Sequence, residues 1–134
     1  MTGNWQVKVL TLFVGISGCF CVLFGAWLAH AGSHLASEVT NRLSTAHIYQ
    51  FIHTLALFAT VVWIQVKPDK WKLVTAWLFL IGIVGFSVSL YLKTLFAVPF
   101  IGKVTPLGGV TLSLAWLSLF FYAMLTRTPT GKNE

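Results

Sequence analysis

The chain has 134 residues, enough for one domain. Its residues are 57 % apolar and only 9 % charged, where a water-soluble domain carries about 25 % charged residues. Such a chain cannot cover a surface that faces water all round, which excludes an ordinary cytosolic enzyme, a disordered tail and a DNA-binding module. The formal charge of +6 therefore reads as membrane topology and lipid contact, not nucleic-acid binding. The class that remains is an all-α polytopic membrane protein.

The first apolar run, residues 9–31, follows Lys8. Ala29-His30-Ala31 has the small-x-small look of a cleavage site, but the run exceeds the roughly 7–15 residues of a signal-peptide core. It predicts a retained transmembrane helix. Cys19 and Cys21 lie within it, two apart, so they point to nearly opposite sides of a helix and read as buried structural thiols. No CxxC motif is present, which argues against a thiol oxidoreductase.

Residues 32–45 are polar, with Leu35, Val39 and Leu43 recurring every fourth position and Glu38 and Arg42 between them. That spacing predicts a short amphipathic helix in the membrane interface, with Ser33 as its cap; a solvated loop is the alternative. The second span covers residues 46–66 and stops at Pro68, where a lysine cluster around Trp71 marks an interface. The third covers residues 73–96. Pro99, Gly102 and Pro106 punctuate the following loop, and Pro106 suits the first turn of a fourth span over residues 106–126. Residues 127–134 form a polar tail.

Four spans place both termini on one side, together with Lys8, Lys67, Lys70, Lys72, Arg127 and Lys132. The other side holds Arg42, Lys93 and Lys103. The positive-inside rule then puts both termini in the cytoplasm.

Helices in lipid associate through small residues and interhelical hydrogen bonds. Each span carries a stripe of such residues: Thr11, Gly15, Gly18, Gly25 and Ala29; Ala46, Tyr49, His53, Ala56 and Thr60; Gly82, Gly85, Ser89 and Lys93; Gly108, Thr111, Ala115, Ser118 and Tyr122. These predict a four-helix bundle with Gly18, Gly25, Gly82, Gly85, Gly108 and Gly109 at helix contacts. Polar residues gather toward the outer end of the spans, among them His30, Tyr49, Gln50, His53, Ser87, Ser89, Tyr91 and Thr105. They are the candidate ligand site or interhelical polar cluster, since polar groups in lipid face a partner or a cavity.

The chemistry offered is sparse. His30 and His34 are four apart but Gly32-Ser33 interrupts the helix needed to chelate a metal. A haem held by His30 and His53 is conceivable by depth alone. No carboxylate lies in a span to drive proton-coupled transport, and no Ser-His-acid set, HExxH or phosphate loop is found. Thr105-Pro106-Leu107-Gly108-Gly109 reads as a tight turn with a close helix contact, and Lys93 as a side chain reaching outward to the interface. No cofactor and no metal are expected.

Four segments in order resemble a known family. Gly25-Ala26-Trp27-Leu28-Ala29-His30-Ala31 resembles its Gly-Ala-Phe-Gly-Ala-His-Ala signature. Thr45-Ala46 with Tyr49-Gln50 and His53 resembles its Thr-Ala…Tyr-Gln-x-x-His segment. Phe86-Ser87-Val88-Ser89-Leu90-Tyr91 resembles Phe-Ser-Gly-Ser-Leu-Tyr. Gly102 to Gly109 resembles Gly-x-Ile-Thr-Pro-Leu-Gly-Gly. This is the YgdD-type family of small four-span bacterial inner-membrane proteins of unknown function. The resemblance implies that location and no activity. Leu28 and Val88 stand where the family pattern has glycine, and should either part the adjacent helices or fill a gap.

The reading that results is an uncharacterised membrane protein, a structural or accessory component acting through helix contacts with itself or a larger complex. The alternatives are a small-molecule binder or transporter with a site between His30, Tyr49, Gln50, His53 and Thr105, and a haem or metal redox protein.

Overall fold

A computed structural model describes residues 2–126, with side chains from Trp5 onward. The tail expected at residues 127–134 lies outside the described residues. Helices α1 (Thr2–Ala31), α2 (Ser37–Val66), α3 (Lys70–Ile83), α4 (Ser89–Phe96) and α5 (Val104–Leu125) follow in order. A π-helical segment, Val84–Val88, joins α3 to α4 in one span, Lys70–Phe96. Short 3-10 turns, Gly32–His34 and Pro99–Lys103, precede α2 and α5. The four apolar runs fall on four helices long and apolar enough to cross a membrane.

The amphipathic stretch after the first span is helical but is not a separate element. It forms the opening turns of α2, because Ser37–Val66 contains neither Gly nor Pro to stop the helix. Leu43 is buried there, while Glu38 and Arg42 pair on the outer face. Ser33 lies in the preceding turn and caps nothing; Ala36 occupies the cap position of α2. Thr40 ties the turn down instead, its hydroxyl lying 3.0 Å from the Gly32 carbonyl. The longer α2 places Gln50 near the helix middle. That residue stands about 20 Å from one end of the helix and about 24 Å from the other at 1.5 Å per residue.

Chain order sets the packing order: α1 lies on α2, α2 on α3, and α3 with the π segment on α5. This leaves α1 and α5 at opposite edges. The main core is Leu10, Leu57, Val61, Ile64, Ala76, Phe79, Ile83, Leu112 and Ala115; a second cluster joins Leu43, Ala46 and Tyr91. At the turn after α2, Asp69 caps α3 by accepting from the backbone N–H of Trp71 at 2.7 Å. Such a cap satisfies a donor that the helix itself cannot.

The closest helix approach is between the π segment and α5. A Cβ on Gly85 would lie 3.0 Å from the Cα of Gly108, and one on Gly108 would overlap the backbone of Gly85 and Phe86. Gly82 meets Leu112, whose Cδ2 is 2.5 Å from the place of a Cβ, and Gly25 meets the His47 ring at 3.0 Å. Gly109 faces the Phe86 ring at ordinary contact distance. The expectation for Gly18 is corrected: open space surrounds it, as it does Gly15, because α1 turns Leu10, Ser17, Cys21 and Gly25 toward α2. Thr11 also faces outward and donates to its own Val7 carbonyl at 2.8 Å, which hides the hydroxyl from an apolar surround. Of the two thiols, Cys21 is buried and Cys19 exposed, so the reading of both as buried is half corrected.

Candidate functional site

Gln50 organises the most connected polar group. Its Nε2 donates to Ser17 Oγ at 2.9 Å, its Oε1 accepts from the Tyr91 hydroxyl at 2.9 Å, and Ser17 lies 2.7 Å from Thr54 Oγ1. All four side chains are at least nine-tenths buried. The group stitches α1, α2 and α4 together where no water competes. Just above it His47 Nε2 donates to the Cys21 carbonyl at 2.7 Å.

His53 belongs to a different face. Its Nδ1 donates to the Tyr49 carbonyl one turn back, at 2.6 Å. The bond holds Nδ1 as a donor and orients the ring away from the Gln50 group. Its ring lies 6.2 Å from both Phe79 and Trp116, and 5.6 Å from Tyr49, which stacks on Phe86 at 4.4 Å. Tyr49 is 42 % exposed, so this aromatic group reaches the outer surface between α2 and α5.

A third group sits at the π segment. Ser89 Oγ is 2.5 Å from the Gly85 carbonyl, 3.0 Å from the Phe86 carbonyl and 2.8 Å from Thr105 Oγ1. The serine donates to a carbonyl that the π register displaces from α-helical pairing, and accepts from Thr105. Ser87 is fully buried, and its Oγ has no partner among the described residues.

The structure therefore divides the expected polar cluster. Gln50 and Tyr91 join; Tyr49 and His53 join; Ser89 and Thr105 join. His30 meets none of them and lies exposed on the last turn of α1. A site lined jointly by His30, Tyr49, Gln50 and His53 is absent, because α2 turns Gln50 and His53 toward different neighbours.

Beside the Gln50 group, α1 and α4 part to leave a cleft of about 450 Å³. Phe13, Ile16 and Phe24 form one wall, Val88, Leu92 and Phe96 the other, with Ser17, Gln50 and Tyr91 at its floor. The floor's polar atoms are turned into their own hydrogen bonds, so the walls present hydrocarbon.

Residues 24–109 match the family described as "Protein of unknown function (DUF423)". Curated relatives extend the likeness over most of the chain. A UPF0382 membrane protein of Haemophilus influenzae is 38 % identical over 115 residues, covering 85 % of this chain and 91 % of that one. The UPF0382 inner membrane protein YgdD of Escherichia coli K12 is 33 % identical over 128 residues, 95 % of this chain and 98 % of its own. YwdK of Bacillus subtilis, a UPF0382 membrane protein, is 29 % identical over 120 residues, 88 % and 98 % of the two chains. The chain belongs to the DUF423 family. No solved structure matches it.

In this DUF423 protein the two departures from the glycine pattern both face the α1–α4 side. Leu28 packs on the Leu43, Ala46 and Tyr91 cluster, filling space; Val88 stands in the wall of the cleft. Four buried polar residues escaped sequence reasoning; one is Thr75, fully buried, its hydroxyl 2.6 Å from Ser118 Oγ. Ser17 and Thr54 are unremarkable hydroxyls in apolar runs, and only their burial against Gln50 marks them. Lys72 looked like an interface charge, yet it is 1 % exposed. Its Nζ donates to the Lys67 carbonyl at 2.9 Å and lies 4.2 Å from the centre of the Trp63 ring.

The Gln50 group yields a stability prediction for this DUF423 member. Gln50→Leu strands the Tyr91 hydroxyl without its acceptor, and should lower stability by about 1.5 kcal/mol. Adding Tyr91→Phe should restore part of the loss, read as the thermal midpoint in one fixed detergent. A Gln50→Leu protein as stable as the parent would show that the group contributes nothing net.

Proposed function

We propose that the protein is a structural or accessory component of the bacterial inner membrane, with both termini in the cytoplasm, that works through helix contacts with itself or a larger membrane complex. The carrying observation is the state of α1. Only 17 % of its most apolar stretch is buried, against 39 % for α2, and Gly15 and Gly18 face open space. Small residues on an edge helix permit the close backbone approach by which helices associate in lipid. The name of the Escherichia coli relative supports the inner membrane. The lysine and arginine bias supports the orientation. The small-molecule transport reading loses its basis, because the residues that would line its site face different neighbours.

Cys19, exposed beside Gly15 and Gly18, offers a built-in reporter. Mild oxidation in native membranes should give a disulfide-linked species through Cys19, either a dimer or a partner adduct. Such a bond needs Cα atoms within roughly 7 Å. Cys19→Ser should abolish it and Cys21→Ser should not, since Cys21 is turned into the α1–α2 contact. Gly15→Leu should block it without lowering stability. Absence of any Cys19 adduct, together with a lone monomer by native mass spectrometry from the membrane, would overturn this reading.

A further inference from the structure

We propose that the cleft between α1 and α4 seats one acyl chain of a phospholipid from the leaflet on the side away from the termini. This inference does not rest on the accessory role above. Its first support is length. The α1 wall runs from Phe13 to Phe24, about 16 Å at 1.5 Å per residue, and the α4 wall from Val88 to Phe96, about 12 Å. One leaflet contributes about 15 Å of the hydrocarbon core. The cleft starts at Phe13, about 5 Å on the N-terminal side of the middle of α1 at 1.5 Å per residue, and ends at the last residue of α4, so it lies mainly in the half of the bundle away from the termini.

The second support is size. A helix is about 10 Å across and rises 5.4 Å per turn, so the cleft of about 450 Å³ holds roughly one turn. A second copy could not lay a helix along it, whereas a single flexible chain can follow its whole length. The third support is chemistry. The walls are aromatic and aliphatic, and the polar floor is already satisfied: Gln50 bonds Ser17 and Tyr91. A polar guest would find no free partner there. A hydrocarbon chain gains dispersion contacts along both walls.

The test uses the full chain in nanodiscs of palmitoyl-oleoyl phosphatidylglycerol, analysed by native mass spectrometry with rising collision energy. One lipid should persist after the remaining lipids are stripped. Leu92→Trp, which fills the cleft from the α4 wall, should lower that adduct about tenfold with the thermal midpoint unchanged. Ile16→Trp, on the facing wall, serves the same purpose if Leu92→Trp does not fold. The proposal is overturned if no single-lipid adduct persists, if the adduct survives both tryptophan variants, or if the retained mass is a second protein chain. The last outcome would favour helix association while removing the lipid, so the two readings fail separately.

Discussion

Gly108→Ala is expected to destabilise the protein by about 3 kcal/mol, the upper part of the usual range for overpacking a tight contact. The new methyl group would overlap the carbonyl carbon of Gly85 and the amide nitrogen of Phe86. Both are backbone atoms of the π segment, which cannot rotate aside as a side chain would. Relief requires α5 to move away from α3, loosening Leu112 and Ala115 from the core. Gly85→Ala should cost less, about 1 kcal/mol, because its Cβ would stand 3.0 Å from the Gly108 Cα and a shift of a few tenths of an ångström relieves it. Gly18→Ala should be neutral or slightly stabilising. It meets open space, and alanine favours a helix over glycine by up to about 1 kcal/mol. Unfolding midpoints in a fixed detergent should rank the variants in that order. Equal midpoints for all three would mean that the helices do not meet at Gly85 and Gly108.

Lys72→Met should lower stability by about 2 kcal/mol, through loss of a charged hydrogen bond and a cation–π contact in a water-poor site. The ammonium group lies over Trp63, within 5.7 Å of the Tyr122 ring centre, and donates to the Lys67 carbonyl at the end of α2. A positive charge there also complements the negative end of the helix dipole. Methionine keeps the length of the side chain, so the comparison isolates the charge. Because the group is buried, raising the salt concentration should leave the parent's midpoint nearly unchanged, whereas an exposed pair such as Arg42–Glu38 is screened. A Lys72→Met protein that unfolds with the parent would show that the ammonium contributes no net stability.

The all-helical class was legible from composition and run length. Apolar stretches of twenty or more residues with few charges have one stable form in lipid, since each helix satisfies its own backbone. Breaks were legible at Gly32 and Pro68, where backbone chemistry is local. The start of α2 was not. Residues 37–45 look like a separate interfacial helix by polarity, but polarity does not stop a helix, and no Gly or Pro intervenes.

The family pattern singled out Gln50, His53, Ser89, Tyr91 and Thr105 one at a time, without partners. Which side chains meet depends on how four helices turn about their axes. That rotation is set by contacts between residues distant in the chain, such as Gly85 on Gly108 and Ser17 on Gln50. No local rule carries it. So the sequence by itself determined a four-helix membrane protein and the residues able to pack closely or to hydrogen-bond inside it. Only the tertiary structure decided that Gly18 faces outward while Gly108 touches backbone, that Lys72 is enclosed by aromatic rings, and that α1 and α4 part to leave a cleft. In lipid the apolar faces of the helices are nearly equivalent in transfer free energy. Their rotation is decided by close packing and by polar partners, and both are properties of pairs of helices.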